Sequence, residues 1–156
     1  MLKVRPATLE DALSLAKRLR KADLKEIQAV GYKNPEDSLV RGLKESSPCY
    51  VAVDEEDTPH IIFGIVASPD PLLGYVWMMA SDELKKHWIQ VLRETKEWLN
   101  DVSKGFQVSA NAVHSENKVH IKWLRWAGFS FLRKVKIGND EFYEFAKLNK
   151  VGDNHV

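Results

Sequence analysis

Apolar and polar residues alternate with two different periods along the chain, and the two periods together predict a mixed domain. A period of two, or a short apolar run, predicts strands at residues 2–5, 50–53, 61–66, 72–79, 108–113, 131–137 and 141–147. A period near 3.6 predicts helices at residues 9–21, 23–31, 36–45, 81–99 and 116–127. The expected fold class is α+β (mixed α/β), with a central mixed sheet of about six or seven strands and helices on both faces.

The order of these elements contains one β–α–β crossover. It runs from the strand at residues 72–79, through the helix at 81–99, to the strand at 108–113. A crossover of this kind predicts that its two strands pair in parallel. The nearly continuous apolar run at residues 72–79 also indicates a central strand covered on both faces.

Several helix starts are marked by side chains that can accept hydrogen bonds from first-turn N–H groups. Thr8 and Asp11 form a capping-box pattern, and Asn34 precedes a proline at the first helical position. Ser81 or Asp82 is expected to cap the helix at 81–99. Ser115 is expected to cap the last helix in the same way.

The last predicted helix has an apolar stripe and a stop signal. Val119, Trp123 and Trp126 lie at i, i+4 and i+7, so they are expected to share the buried face. Gly128 stands where a helix end favours a left-handed residue, and Phe129 is expected to fold back on the last turn.

Composition indicates the general class of protein but points to no catalytic or binding residue. The 156 residues are 44% hydrophobic, which suits one domain, expected at residues 1–148 with a flexible polar tail at 149–156. The net charge of +1 favours neither nucleic acid nor a membrane surface as a partner. The single cysteine, Cys49, excludes an internal disulfide, and no signal-peptide core or run of about 18 apolar residues is present. A cytoplasmic protein, or one packed in a larger particle, is expected.

The region around the last helix resembles the GCN5-related N-acetyltransferase (GNAT) family. The late motif of that family has the pattern V-x-x-x-N before a helix and a Gly-Phe pair after it. The corresponding residues here are Val113, Asn117, Gly128 and Phe129. The resemblance implies the GNAT fold and covers about residues 60 to 147.

Small acetyltransferase-like proteins of short-tailed phages, which include internal virion proteins, resemble the chain more closely. These proteins carry a tryptophan-bearing strand before a Ser-Asp helix start, which corresponds to Trp77, Ser81 and Asp82. They also carry a His-Ile-x-x-Leu-x-x-x-Gly segment, which corresponds to residues 120–128. The resemblance implies a phage protein that acts in the bacterial host cytoplasm or in the virion.

The GNAT resemblance also implies acetyl-CoA as a cofactor. Its binding residues would be the backbone groups of Trp77, Met78, Met79 and Ala80 in the central strand, together with Asn117. Asn117 has two alternative roles, fixing the helix start or merely occupying the first helical turn. The resemblance assigns no catalytic residue.

Two departures from the family bear on the reaction. The family holds the cofactor pyrophosphate in a glycine-rich loop at a helix start, but residues 78–84 contain no glycine and include Asp82 and Glu83. Many active members carry a tyrosine proton donor at the position of Leu124, which has no proton to give. Both departures favour a protein that does not catalyse the family's reaction.

Other polar residues admit two interpretations each. His114 and His120 flank Asn117 and are candidate bases, although a surface or partly packed histidine is the simpler interpretation. Asn111 is unusual inside a strand and could face a ligand cleft. Tyr75 could reach the same cleft, but a core tyrosine is the simpler interpretation.

Metal and nucleic-acid binding have weaker support. Glu83 and His87 are spaced as a helical pair, but no third ligand lies at helical spacing, so no metal site is predicted. Six basic residues are interleaved with Trp123 and Trp126, and a solvated face is the simpler interpretation of this cluster. They are Lys118, Lys122, Arg125, Arg133, Lys134 and Lys136.

Three functions follow from the sequence. The first is a non-catalytic or vestigial acetyltransferase-fold protein that binds a host or virion protein. The second is an active N-acetyltransferase that uses acetyl-CoA with an atypical pyrophosphate loop. The third is a small nucleic-acid-binding accessory protein. No membrane association is expected, and homodimer formation is an open alternative.

Overall fold

A seven-stranded mixed sheet forms the centre of the computed structural model, which describes residues 1–149. The strands are β1 (Lys3–Pro6), β2 (Ser46–Val53), β3 (Pro59–Ala67), β4 (Leu73–Ala80), β5 (Val108–His114), β6 (Ser130–Ile137) and β7 (Asp140–Leu148). Their order in the sheet is β1-β2-β3-β4-β5-β7-β6. The β4–β5 pair is parallel and the other pairs are antiparallel, so the predicted mixed sheet and its parallel crossover are confirmed. Most of the predicted flexible tail, residues 150–156, lies outside the described residues.

Helices cover both faces of the sheet, as predicted. They are α1 (Leu9–Ala16), α2 (Lys21–Ala29), α3 (Pro35–Glu45), α4 (Trp88–Val102) and α5 (Lys118–Trp126). Helices α1 to α3 pack on one face, and α4 and α5 pack on the other, so each face has its own apolar cluster. Within residues 1–149, no helix is long and apolar enough to span a membrane.

Two of the predicted helix starts are confirmed in detail. The Thr8 side chain accepts a hydrogen bond from the N–H of Asp11, whose carboxylate in turn accepts one from the N–H of Thr8. The Asn34 side chain accepts a hydrogen bond from the N–H of Asp37. Local side-chain chemistry therefore determines these two boundaries.

Two helix boundaries differ from the prediction, and tertiary contacts account for the first of them. Helix α1 ends at Ala16, since Leu19 forms a β-bridge with Ser81 and the N–H of Arg20 donates to the carbonyl of Ala80. Asp82–His87 forms a 3₁₀ helix, so α4 begins at Trp88 and not at residue 82.

The prediction for α5 was wrong in its start and in part of its buried face, although Trp123 is buried as predicted. The helix begins at Lys118 with Asn117 as its N-cap residue, not at Ser115. Val119 and Trp126 are 55% and 52% exposed, because the helix turns a different stripe inward. The inward residues are His120, Ile121, Trp123, Leu124 and Ala127.

The predicted end of α5 is confirmed. Gly128 has a positive φ of 98°, which is the left-handed conformation that follows many helices. The N–H of Phe129 donates to the carbonyl of Leu124, and the Phe129 ring is buried. This turn directs the chain into β6.

The parallel pair β4–β5 is short. Residues 73–75 of β4 pair with residues 108–110 of β5, and the two strands then separate. On its other side, β5 pairs with β7 from Val108 to His114. A gap therefore opens in the sheet beyond Tyr75 and Ala110, between the two helical layers.

Candidate functional site

Side chains take the place of the missing strand partners in the gap between β4 and β5. The Nδ2 of Asn111 donates to the carbonyl of Val76 across the gap (2.9 Å), and its Oδ1 accepts from the N–H of Ala112 (2.8 Å). Asn111 is disfavoured in strands, and the structure gives it this bridging role. The backbone groups at the start of the gap are therefore paired.

Helix α2 supplies two carboxylates to the far end of the gap. The Asp23 carboxylate accepts a hydrogen bond from the N–H of Ala80 in β4 (3.0 Å). The Glu26 Oε2 accepts one from the N–H of His114 in β5 (3.3 Å). The two acids thus bind one strand each, and α2 lies across the opening.

Asn117 connects these acids to α5. Its Nδ2 donates to Glu26 Oε2 (2.7 Å) and lies 3.4 Å from His120 Nδ1, while its Oδ1 accepts from Arg20 (3.1 Å). Asn117 is 2% exposed and is the N-cap residue of α5, but its side chain makes no cap hydrogen bond to the helix. It organises a buried polar cluster.

Donor atoms of Asp23, Glu26 and His120 lie within 4.8 Å of one another in this cluster. Carboxylates and imidazole can ligate a metal ion, but the Arg20 guanidinium already lies 3.6 Å from Asp23. Arg20 therefore already supplies a positive charge beside these acids. Sequence spacing gave no indication that these side chains meet.

Burial dominates the electrostatics of the cluster. It raises the pKa of Asp23 to about 6 and the pKa of Glu26 to about 7, although Arg20 and the hydrogen-bond donors oppose the rise. Burial and the charge of Arg20 lower the pKa of His120 to about 3, so this imidazole is neutral near pH 7. Glu26 is therefore the group whose proton is exchanged most easily at neutral pH.

A cavity of about 140 Å³ lies in the gap and reaches both helical layers; we name it the chamber. Glu26, Ile27 and Val30 of α2 line it on one side of the sheet, and Trp123 and Leu124 of α5 line it on the other. Most of its remaining wall is apolar. The chamber therefore passes through the sheet beside the polar cluster.

A second cavity of about 400 Å³, the outer cavity, lies on the α4 and α5 side. Met78, His120 and Trp123 line both cavities, so the two meet at these residues. Arg20 and Lys85 bring positive charge to the outer cavity. A long ligand with an anionic end could extend from the outer cavity into the chamber.

The turn that replaces the family's glycine-rich loop offers few free N–H groups. The N–H of Asp82 donates to the carbonyl of Arg18, and the N–H of Leu84 donates to the carbonyl of Ser81. An anion at this turn would therefore depend on side chains. Lys85 has no ion pair within residues 1–149, whereas the next residue, Lys86, pairs with Glu83 at 3.0 Å.

The five predicted cofactor-binding residues all lie at the gap. Trp77, Met78 and Met79 line the chamber, Ala80 donates its N–H to Asp23, and Asn117 lies in the polar cluster. The Trp77 indole lies against Gly42 of α3 and donates to Ser46 Oγ at the start of β2 (2.7 Å). Their role in binding a cofactor stays a prediction.

The remaining candidates have structural roles or lie away from the gap. His114 is buried and lies 3.1 Å from Asp140, and its other ring nitrogen accepts from the N–H of Glu116. The His87 ring lies against the His60 ring, with centroids 5.1 Å apart and the ring planes tilted by 47°. Tyr75 is 42% exposed, so its interpretation as a core residue was wrong.

The basic cluster is partly balanced by acidic and aromatic neighbours. Arg133 pairs with Glu144 (2.6 Å), and Arg125 lies over the ring of Phe131 (5.1 Å). Lys134 lies 4.0 Å from Glu141. These contacts favour the solvated face that the sequence analysis preferred.

Sequence reasoning missed three residues of the site: Arg20, Asp23 and Glu26. Asp23, Glu26 and Ile27 lie at i, i+3 and i+4 on the inward side of α2, and Val30 at i+7 continues this stripe although it is 49% exposed. An acid within an apolar stripe was the signal that could have indicated them. Asp23 is 1% exposed, which is rare for a carboxylate.

Known structures share this architecture. A GNAT-family acetyltransferase from Streptococcus pneumoniae superposes with a TM-score of 0.63 at 14% identity, over 96% of this chain and 100% of that one. A GCN5-related N-acetyltransferase from Kribbella flavida superposes with a TM-score of 0.66 at 20% identity, over 94% of this chain and 97% of that one. The ribosomal-protein-S18-alanine N-acetyltransferase from Escherichia coli superposes with a TM-score of 0.67 at 12% identity, over 100% of this chain and 99% of that one.

These similarities show that the chain has the GNAT fold. The identities are too low to transfer an activity or a substrate. No known family profile matches the chain, and no curated protein matches its sequence.

Proposed function

We propose that this GNAT-fold chain is an N-acyltransferase that transfers an acetyl group from acetyl-CoA to an amine. The observation that carries the proposal is the junction of the two cavities at Met78, His120 and Trp123, with the Glu26 carboxylate beside it. A cofactor that enters through the outer cavity brings its thioester to this junction. An amine in the chamber meets it there.

The backbone of Met78 is the strand group best placed to hold the cofactor arm. Val76 and Ala80 both direct backbone groups into the gap, where Asn111 and Asp23 bind them. Along a strand, the backbone N–H and C=O groups of every second residue point toward the same edge. Met78 therefore directs its N–H and C=O into the gap as well. The β4–β5 pairing ends at Tyr75, which leaves these groups for an amide of the cofactor arm.

Lys85 is the residue proposed to bind the cofactor phosphates, because Arg20 is already held by Asp23 and Asn117 beside Glu26. Lys85 stands in for the N–H groups that the family's glycine-rich loop would supply. The carboxylate of Asp82 in the same cavity opposes phosphate binding, so we expect weaker binding than a glycine-rich loop gives.

Glu26 is the proposed proton acceptor. An amine arrives as an ammonium ion and gives one proton to the Glu26 carboxylate, which has a pKa of about 7. The amine nitrogen then attacks the carbonyl carbon, the new C–N bond forms, and the C–S bond breaks. Sulfur leaves with the electron pair and takes the second proton from the nitrogen, because Leu124 has no proton to give.

Calorimetric titration with acetyl-CoA tests this proposal, with thiol release from a panel of amines as the measure of turnover. We expect Lys85→Glu to weaken acetyl-CoA binding about tenfold, which corresponds to about 1.4 kcal/mol. Lys86→Glu is the matched control, because Lys86 already pairs with Glu83. The absence of binding at millimolar acetyl-CoA would overturn the proposal.

A second candidate is the non-catalytic binding protein expected from the phage resemblance, with a host or virion protein as its partner. The hydrogen bond from the Ala80 N–H to Asp23 favours it, because an internal carboxylate then occupies a backbone group that a cofactor could use. This candidate predicts that acetyl-CoA does not bind and that a protein partner does. Its cytoplasmic or virion location stays a prediction.

A further inference from the structure

We infer that the acyl acceptor is a compact apolar monoamine, whose ammonium group binds Glu26 and whose hydrocarbon body fills the chamber. The inference rests on the proposed transfer to an amine and adds the class of amine. It follows from three features of the chamber: its volume, its lining and its charge.

The volume of the chamber matches an acceptor body of about one six-membered ring. The chamber has a volume of about 140 Å³. An apolar protein cavity of about 150 Å³ binds benzene, so the two volumes can be compared directly. A phenyl or cyclohexyl group fits this space, and the body of an aminoglycoside or a folded peptide does not.

The lining of the chamber selects an apolar body. Its walls beyond Glu26 come mainly from aliphatic, aromatic and methionine side chains, including Ile27, Val76, Phe142 and Phe145. Asn111 also lines it, but both ends of this amide are already hydrogen-bonded to backbone groups. Beyond Glu26, His120 and Asn111, the polar groups of the lining are the Ser38 hydroxyl and the Met78 backbone, so a hydrocarbon body loses fewer hydrogen bonds with water here than a body with several hydroxyl or amide groups.

Glu26 supplies the one acidic group of the lining. Its Oε2 accepts hydrogen bonds from Asn117 and from the His114 N–H, while its Oε1 accepts none from residues 1–149. Asp23 adds a second buried carboxylate nearby, and within residues 1–149 Arg20 is the one cation paired with it. The cluster thus has more acids than bases, and an ammonium group at Oε1 would balance it.

The same arrangement discriminates against polyamines. A second ammonium group on the acceptor would lie among the apolar walls, since His120, the other titratable group of the lining, is neutral near pH 7. Burying an unpaired charge is costly, so diamines and polyamines are expected to be poor acceptors.

The test compares 2-phenylethylamine with spermidine and with a lysine-containing hexapeptide. Acetyl-CoA-dependent thiol release gives kcat/KM for each acceptor, and calorimetry measures binding of each amine to the full chain without cofactor. We expect kcat/KM for 2-phenylethylamine to exceed that for spermidine at least about a hundredfold. We also expect 2-phenylethylamine to bind alone, with Glu26→Gln abolishing this binding.

A substitution that fills part of the chamber tests whether the hydrocarbon body of the amine lies there. Ala112 lines the chamber, and Ala112→Leu is expected to raise the KM for 2-phenylethylamine at least about tenfold while the acetyl-CoA affinity stays unchanged. Ala110→Leu in the same strand is the control, because Ala110 does not line the chamber. Thermal unfolding of both variants shows whether they fold.

The outcomes separate the acceptor inference from the proposed function. Preference for spermidine or the peptide would overturn the inference and leave the acetyltransferase proposal standing. Binding of 2-phenylethylamine without any binding of acetyl-CoA would support the amine site and overturn the proposed function. Failure of every apolar monoamine to bind would overturn the inference.

Discussion

Strand β5 meets its two neighbours in different ways. Its edge toward β7 is paired from Val108 to His114, whereas its edge toward β4 is paired at residues 108–110 and then opens. Backbone bonds satisfy the first edge. Side chains from β5 itself and from α2 satisfy the second, through Asn111, Asp23 and Glu26.

The difference shows how a sheet can contain a site at its centre. A continuous parallel pair would leave no space between the helical layers. Where the pair opens, backbone polar groups need new partners, and polar side chains must be buried to supply them. Those side chains bring the titratable groups to the chamber. The closed edge thus stabilises the fold, and the open edge is suited to chemistry.

The largest expected effect is a loss of activity when Glu26, the proposed base at the open edge, is replaced. Glu26→Gln should lower kcat with the preferred amine by about 10²- to 10⁴-fold, because it removes the proton acceptor. The measurement is steady-state thiol release at saturating acetyl-CoA. Glu10→Gln, at an exposed glutamate of α1, should leave kcat unchanged. Equal activity of Glu26→Gln and wild type would remove Glu26 from the mechanism.

On the closed edge, Val113→Ala should lower the free energy of unfolding by about 2 kcal/mol. Val113 is fully buried and pairs with Tyr143, so the substitution removes two methyl groups from a packed core. Chemical denaturation measures the loss. A loss below about 0.5 kcal/mol would show that this edge is packed less tightly than the structure indicates.

The bridging asparagine of the open edge should matter less to stability. Asn111→Ala is expected to cost about 1 kcal/mol, since the freed carbonyl of Val76 faces a cavity that water can enter. Asn100→Ala, at an exposed position of α4, is the control. If Asn111→Ala lowered the free energy of unfolding more than Val113→Ala, the open edge would contribute more to stability than the closed edge, which is the reverse of our expectation.

A pH-dependent difference in stability is expected at Asp23. Burial raises its folded-state pKa from 3.8 to about 6, with Arg20, Glu26, Asp82 and His120 as the charged or titratable neighbours. The folded state therefore holds this proton more tightly than the unfolded state. The stabilisation is full below pH 3.8 and is lost as the pH rises through about 6.

Asp23→Asn removes that dependence. Its stability relative to wild type should therefore improve between pH 4 and pH 7, by at most about 1.4 kcal/mol per pH unit. Chemical denaturation of both proteins at several pH values measures the difference. A difference that does not change with pH would mean that Asp23 titrates alike in the folded and unfolded states.

Much of the fold could be predicted because its signals are local. Thr8, Asn34 and Gly128 mark their helix ends through the bonds and dihedral angles of their own neighbourhoods. The errors occurred where distant segments intervene. The Leu19–Ser81 bridge ends α1 early, and contacts of Asn117 with α2 displace the start of α5.

The site was predicted in part. The strand at Trp77 to Ala80 and Asn117 were located from the GNAT resemblance, and they do lie at the gap. Asp23 and Glu26 were missed because a carboxylate in a short helix usually faces solvent. Their function depends on where α2 is placed relative to β4 and β5.

The sequence by itself determined the element types, the parallel crossover and the absence of a glycine-rich loop, because periodicity, chain order and residue identity are properties of local sequence. The tertiary structure decided where β4 and β5 part and which side chains fill the gap. Arg20, Asp23 and Glu26 lie more than 80 residues before His114, Asn117 and His120, and they meet through folding alone. Burial within that cluster, and not residue type, shifts their pKa values.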